Sequence, residues 1–317
     1  MIKVLLAFVG AMVLAMSPQS SAAAPPLSAY GALPAIEDVT ISRDGSQLAY
    51  ITVSGERRTL VAQTLDGRAL GLVNVGDAKV HSLQWAGPDD LIIVTSATGS
   101  SEYFLGRHEW LFATSYNLPK RRFLDLAGHI PDTMNTILSV PAIRFVNGKW
   151  VAVISTVSVK ESGIVLREAS LQTPHARVLD VLHDRARSWL LDQNGVLQAQ
   201  TRYDEHSRTW SLHVRQGAGW PSVYEVKADL DTPSLVSFGR DGKSPVLAVK
   251  SDESDVRFIE ITQDGAQRPA MPADHEFRDV LVDPLTRRLI GGVYHDEYLR
   301  YLFFDAKEQA AWDRIVR

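Results

Sequence analysis

Apolar and polar positions alternate in short runs along most of the chain. Val39 and Ile41 flank Thr40, and Leu48 and Tyr50 flank Ala49. A period of two marks a strand with one buried face. Between these runs stands Asp44-Gly45, a hairpin signal, because the turn needs a positive φ that glycine takes without strain. Arg58 to Thr64 continues the sheet, and Asp66-Gly67 turns the chain again. A lone hairpin is marginal in water, so this unit needs neighbours.

Diluted copies of the unit supply them. Val80 to Thr95 turns at Gly87-Pro88-Asp89-Asp90, Ile143 to Ile154 at Asn147-Gly148, and Ser188 to Gln200 at Asn194-Gly195. Leu235 to Val249 turns at Asp241-Gly242, and Val280 to Tyr294 turns around Asp283 to Arg287. Gly148 to Gly195 and Gly195 to Gly242 are both 47 residues apart, Gly242 to Arg287 is 45, and Gly45 to Asp89 is 44. Only Asp89 to Gly148 is longer, at 59, and it carries an insertion over Gly99 to His108. A repeat of roughly 40–50 residues holding four strands is the signature of a β-propeller. A two-sheet sandwich would not return a turn dipeptide at so constant an interval. The fold class expected is therefore all-β, a β-propeller of about six to seven four-stranded blades over 36–317.

In such a ring the aromatics Trp85, Phe145, Trp150, Trp189 and Phe238 fall where neighbouring blades pack, and they read as core residues. The last element differs. Ala306 to Val316 places Trp312, Ile315 and Val316 on one helical face, with Asp305 as cap and Glu308 completing a capping box. No seventh sheet follows it. The ring is expected to be incomplete at the C-terminus, its last blade cut before the pairing that hides its edges.

Composition adds a compartment. Lys3, the apolar Val4 to Met16 and the small residues of Pro18 to Ala24 form a secretory signal over 1–23, cleaved after Ala22 or Ala23. The apolar run is shorter than the roughly 20 residues that span a bilayer, so no membrane anchor is expected after cleavage. Residues 24–35, rich in Ala and Pro, form a lead-in segment. The chain has 317 residues, a net charge of -4 and no cysteine. That excludes disulfides, thiol nucleophiles and cysteine metal sites. It also speaks against a nucleic-acid partner, which would need clustered cations. A periplasmic or secreted protein is expected.

Candidate chemistry is sparse. There is no Gly-x-Ser-x-Gly turn; Gly99-Ser100-Ser101 and Glu161-Ser162-Gly163 lack the flanking glycine. His108-Glu109 and His275-Glu276 lack the second histidine of a zinc-binding pair, and His81, His183 and His295 stand alone. Carboxylate groups stand at Asp89-Asp90, at Asp296-Glu297 and in the run Ser251-Asp252-Glu253-Ser254-Asp255, which lacks the glycine and terminal Glu of a calcium loop and reads as a solvated turn. Tyr203 to Trp210 ends like a sialidase aspartate box but lacks its Ser-x-Asp-x-Gly portion. No catalytic, cofactor-binding or metal-binding residue is assigned, and no cofactor is expected.

Ile41-Ser42-Arg43-Asp44-Gly45-Ser46-Gln47-Leu48-Ala49-Tyr50 resembles the repeat shared by the periplasmic Tol-system propeller and the propellers of prolyl-oligopeptidase-family serine peptidases, with Arg43 where proline is usual. Lys79 to Ala86 with Asp90 to Ile93 is similar to the second blade of bacterial dipeptidyl- or acylaminoacyl-peptidase-like proteins. Val282-Asp283-Pro284 with Leu289 to Tyr294 resembles a late blade of the same proteins. The resemblance covers Tyr30 to Arg317 and implies a propeller that gates short peptides toward an α/β-hydrolase domain carrying Ser, Asp and His. No residue here matches those positions. Glu102 and Glu109 are too far apart to stand for the paired glutamates that bind a substrate amino terminus in some relatives. The partners implied are short peptides and the absent hydrolase domain. A second reading is a free-standing Tol-like propeller that binds a periplasmic protein.

Overall fold

The computed structural model describes residues 31–316 except 32, 102, 103, 162, 183, 184 and 251–255. The leader expected over 1–23, most of the lead-in, Glu102, Ser162, His183, the acidic run 251–255 and Arg317 lie outside the described residues.

Blade 1 is built of β1 (Ile36–Ile41), β2 (Gln47–Ser54), β3 (Arg57–Thr64) and β4 (Ala69–Gly76). Blade 2 holds β5 (Lys79–Ala86), β6 (Asp90–Ser101), β7 (Phe104–Asn117) and β8 (Arg122–Asp125), and blade 3 holds β9 (Ala142–Val146), β10 (Lys149–Ser158), β11 (Gly163–Ser170) and β12 (Ala176–Val181). Blade 4 follows with β13 (Ala186–Leu191), β14 (Leu197–Asp204), β15 (Thr209–Val214) and β16 (Ser222–Lys227). Blade 5 has β17 (Ser234–Phe238), β18 (Pro245–Lys250), β19 (Val256–Ile261) and β20 (Gln267–Pro269). Blade 6 has three strands, β21 (Phe277–Val282), β22 (Leu289–His295) and β23 (Leu299–Phe303), before helix α1 (Ala306–Ile315). Every sheet is antiparallel and pairs its strands in chain order. The protein is a β-propeller, as its repeat period implies.

Register explains the packing. Thr40, Ala49, Ala62 and Gly71 stand opposite one another across blade 1, and so share a face. Ile51 and Leu60 lie on that same side, and all four of Ala49, Ile51, Leu60 and Ala62 are fully buried against blade 2. Gly71 is required there, because a Cβ would come within 2.8 Å of Leu118 Cδ2. Four further apolar clusters join blades 2 and 3, 3 and 4, 4 and 5, and 5 and 6. Each fully buried aliphatic side chain in them contributes about 1.5–3 kcal/mol.

Among the described residues no sixth cluster joins blade 6 to blade 1. Val39, Tyr50, Val61 and Leu72 share the other face of blade 1. On that face Val39, Ile41 and Leu72 are 59%, 55% and 74% exposed. Helix α1 covers part of the corresponding face of blade 6, its Trp312 ring 4.7 Å from Tyr301 and 6.1 Å from Phe303. Asp305 caps it by accepting from the amides of Lys307 and Glu308. Ile315 and Val316, expected beside Trp312, face solvent instead, at 76% and 56% exposure.

The long interval between the second and third turns has two sources. The β6–β7 hairpin projects well past its neighbours, and residues 126–141 form a linker that packs Leu126, Ala127 and Ile137 into the blade 2–3 core.

Candidate functional site at the propeller axis

First strands of neighbouring blades border one another in several pairs, β1 with β5 and β13 with β17 among them, which defines the axis. Trp85 Nε1 on β5 donates to the Thr40 carbonyl on β1 at 3.4 Å. Arg144 on β9 donates to the carbonyls of Leu191 (3.1 Å) and Asp192 (2.7 Å) at the end of β13. The Phe238 amide on β17 donates to the Arg287 carbonyl of blade 6 at 2.8 Å, and the Arg287 guanidinium donates to the Val236 carbonyl at 2.7 Å. An innermost strand has a free edge of carbonyls. These arginines supply donors to edges that no further strand can pair.

Arg144 is 1% exposed. Its third bond, at 2.8 Å, goes to its own neighbour's carbonyl, Ile143 O. All three acceptors are neutral, so the charge itself is not balanced by a bonded carboxylate. Burial, reinforced by the charge of Arg287, draws its pKa down to about 10, against the opposing pull of Asp192 and Asp283. It stays cationic at neutral pH. Burial lowers Arg287 as well. Asp283 is pushed up by burial, but hydrogen bonds from Thr286 and Leu285, with the charge of Arg43, outweigh that and hold it below the ordinary carboxylate range. Arg287 also occupies the left-handed region, φ 57°, where Gly45, Gly148, Gly195 and Gly242 stand in other blades. Its amide donates to the Asp283 carbonyl and its own carbonyl is taken by Phe238, which holds it in a conformation most side chains avoid.

Between the first turns of blades 1, 2 and 6, beside blade 3, a cavity of about 620 Å³ opens. It is lined by Ile41 and Arg43 of blade 1, Trp85 and Pro88 of blade 2, Trp150 of blade 3 and Leu285 of blade 6. Blades 1 and 6 therefore approach each other at the axis, although the face of blade 1 is bare. Phe145, expected in the core, is 52% exposed beside this mouth, its ring 5.0 Å from Trp150. Its neighbour Arg144 takes the inward place on β9. Phe238 is buried as expected, and Trp85, Trp150 and Trp189 pack half-buried at successive blade interfaces.

His81 does not stand alone. Its Nε2 lies 2.8 Å from Ser96 Oγ and 3.2 Å from Glu109 Oε1, and Ser96 donates to the same Glu109 oxygen at 2.7 Å. A catalytic triad needs the hydroxyl and the carboxylate on opposite ring nitrogens. Here both meet Nε2, the hydroxyl proton is held by the carboxylate, and Ser96 is buried mid-strand. The cluster ties β5, β6 and β7 together. His213 is held between Ser211 Oγ and the Trp220 carbonyl, each at 3.0 Å from a ring nitrogen. Asp90 of the Asp89-Asp90 pair is buried and receives both Asn117 Nδ2 and Gln172 Nε2 at 2.9 Å, linking blades 2 and 3. Burial raises its pKa, with the Asn117 bond opposing. No cluster of metal-binding side chains occurs among the described residues, and no described helix is long and apolar enough to cross a membrane.

Sequence reasoning missed Arg144, Arg287 and Asp192. The one available signal was an arginine inside the apolar run Ala142-Ile143-Arg144-Phe145-Val146.

No family model matches the chain, and no curated protein matches its sequence. Among solved structures it is similar to a prolyl endopeptidase at 15% identity and a TM-score of 0.46, over 84% of this chain and 37% of that one. It is similar to the acylaminoacyl peptidase of Pyrococcus horikoshii at 12% and 0.46, over 88% and 47%. It is similar to TolB of Acinetobacter baumannii at 13% and 0.40, over 73% and 52%. The chain thus spans under half the length of either peptidase.

Proposed function

We propose that this chain is the substrate-gating propeller of an exported serine peptidase of prolyl-oligopeptidase type that acts on short peptides, and that it is not catalytic by itself. The repeat Ile41 to Tyr50 and the two later blade-like stretches support the family. The observation that carries the role is the mouth of about 620 Å³ between blades 1, 2, 3 and 6, where Ile41, Trp85, Pro88, Trp150 and Leu285 stand beside the polar Arg43 and Asp44. Such a mouth would offer an extended peptide both apolar and polar contacts, and restricting access to a reaction is itself a contribution to it. The hydrolase domain and the remaining blade would be encoded beyond residue 317, and residues 1–23 would direct export.

Two measurements test this. The coding DNA downstream of codon 317 should continue in frame into a Gly-x-Ser-x-Gly turn. The purified chain should leave aminoacyl- and dipeptidyl-nitroanilides intact; turnover that survives further purification would sink the reading.

A second reading has its own observation. The bare face of blade 1, with Val39, Ile41 and Leu72 exposed, suits a free-standing periplasmic propeller that docks a protein partner. A short closing blade followed by a stop codon would favour it.

A further inference from the structure

Away from the axis, where β19 and β20 face the start of β21, a groove of about 730 Å³ opens on the surface. Its floor is Phe258, Met271 and Phe277, buried among the residues that join blades 5 and 6. Its walls carry Arg257 on β19, Arg268 on β20 and Arg278 on β21. Against these three arginines the described lining offers one carboxylate, Glu276; residues 251–255, which precede Val256, lie outside the described residues.

Arg257 and Arg278 make no hydrogen bond or ion pair among the described residues. Arg268 senses the charges of Asp241 and Asp264 without bonding to either. The chain is acidic overall, so this groove is not a by-product of a basic surface. Three cationic side chains lining one groove attract an anion. The backbone contributes too. β20 stops at Pro269, so Val256 and Arg257 pair with β18 on one side and have no strand on the other among the described residues. An extended chain laid there would meet a strand edge, an apolar floor and cations together.

We propose that this groove binds an acidic peptide in extended conformation, with an aromatic or aliphatic side chain seated on Phe258, Met271 and Phe277. Flanking carboxylates pair with Arg257, Arg268 and Arg278. The planar fork of arginine matches a carboxylate with two parallel hydrogen bonds, which gives orientation as well as attraction. The floor selects against a featureless polyanion, since only a side chain that leaves water gains from it. His275, stacked on Tyr294 at 4.0 Å, frames one end and is not a ligand in this scheme.

The test is fluorescence anisotropy on the whole chain with a labelled octapeptide alternating Glu and Phe. Controls are the Lys/Phe and Glu/Ala versions and inorganic triphosphate. The Glu/Phe peptide should bind, weaken as salt rises, and bind at least about tenfold more weakly to the Arg257→Glu/Arg278→Glu variant. Both side chains are exposed, so the variant should keep the parent's melting temperature, which separates lost binding from lost folding. The Lys/Phe and Glu/Ala peptides should bind at least about tenfold more weakly than Glu/Phe. No binding of Glu/Phe, equal binding to the charge-reversed variant, or equal binding of Glu/Ala or triphosphate would each overturn the proposal. Failure here leaves the axial gating role untouched, because the groove and the mouth share no residue.

Discussion

Gly87 is the position where a single methyl group reports most directly on how the blades fit. It lies in the first turn of blade 2 with φ 79°, and a Cβ there would come within 2.5 Å of Trp150 Nε1 of blade 3. Gly45, its counterpart in blade 1, has φ 71° and nothing within 4 Å of the same hypothetical atom. Both alanine variants place an L-residue in the left-handed region, at roughly 1–2 kcal/mol. Both recover about 0.4–1 kcal/mol from a less flexible unfolded chain. Gly45→Ala should therefore cost about 1 kcal/mol. Gly87→Ala must also push the indole aside, and overpacking of this kind costs about 1–3 kcal/mol more. Its total should be about 2–4 kcal/mol. At about 2–4 °C per kcal/mol for chains somewhat smaller than this, thermal melts should separate the two variants by several degrees. The decisive measurement is the cycle with Trp150→Ala, where Gly87→Ala should fall to the cost of Gly45→Ala. Equal costs for the two glycines, or a Gly87 penalty that survives removal of the indole, would refute the packing argument.

Other expectations rest on separate features. Arg144→Leu strands the Leu191 and Asp192 carbonyls at a buried edge and should destabilise by about 2–4 kcal/mol in urea melts, whereas Phe145→Ala next door, at an exposed ring, should be nearly neutral. Asp283 is held below the ordinary carboxylate range, so its contribution is complete above the unfolded value of about 3.9 and is lost as pH falls through the folded value. Asp283→Asn should flatten that acid limb of the stability profile. Asp90 has the opposite sign: its pKa is raised, so the stability linked to it is fullest below the unfolded value and declines as pH rises through the folded one; Asp90→Asn should remove that decline. The bare face of blade 1 should drive self-association, and replacing Val39, Ile41 and Leu72 with Glu should shift size-exclusion profiles toward monomer without lowering the melting temperature.

The architecture was legible in the chain because it is written locally. Alternation of apolar residues reports which face of a strand is buried, and turn dipeptides such as Asp44-Gly45 and Asn194-Gly195 report where φ must be positive, so their spacing counts blades without knowledge of the ring. The sixth turn was blurred for the same reason: Arg287 stands in the left-handed position, and only its bonds to blade 5 and to Asp283 make that tolerable. What surrounds the axis was not legible. Arg144 of blade 3 and the Asp283–Arg287 turn of blade 6 lie far apart in the chain, and neither their meeting nor the pairing of His81 with Ser96 and Glu109 has any local pattern. The sequence by itself determined repeating antiparallel sheets, four-stranded in five blades and three-stranded in the sixth among the described residues. Only the tertiary structure decided which charges meet where the sheets converge, because a charge's neighbours depend on folded distance and not on separation along the chain.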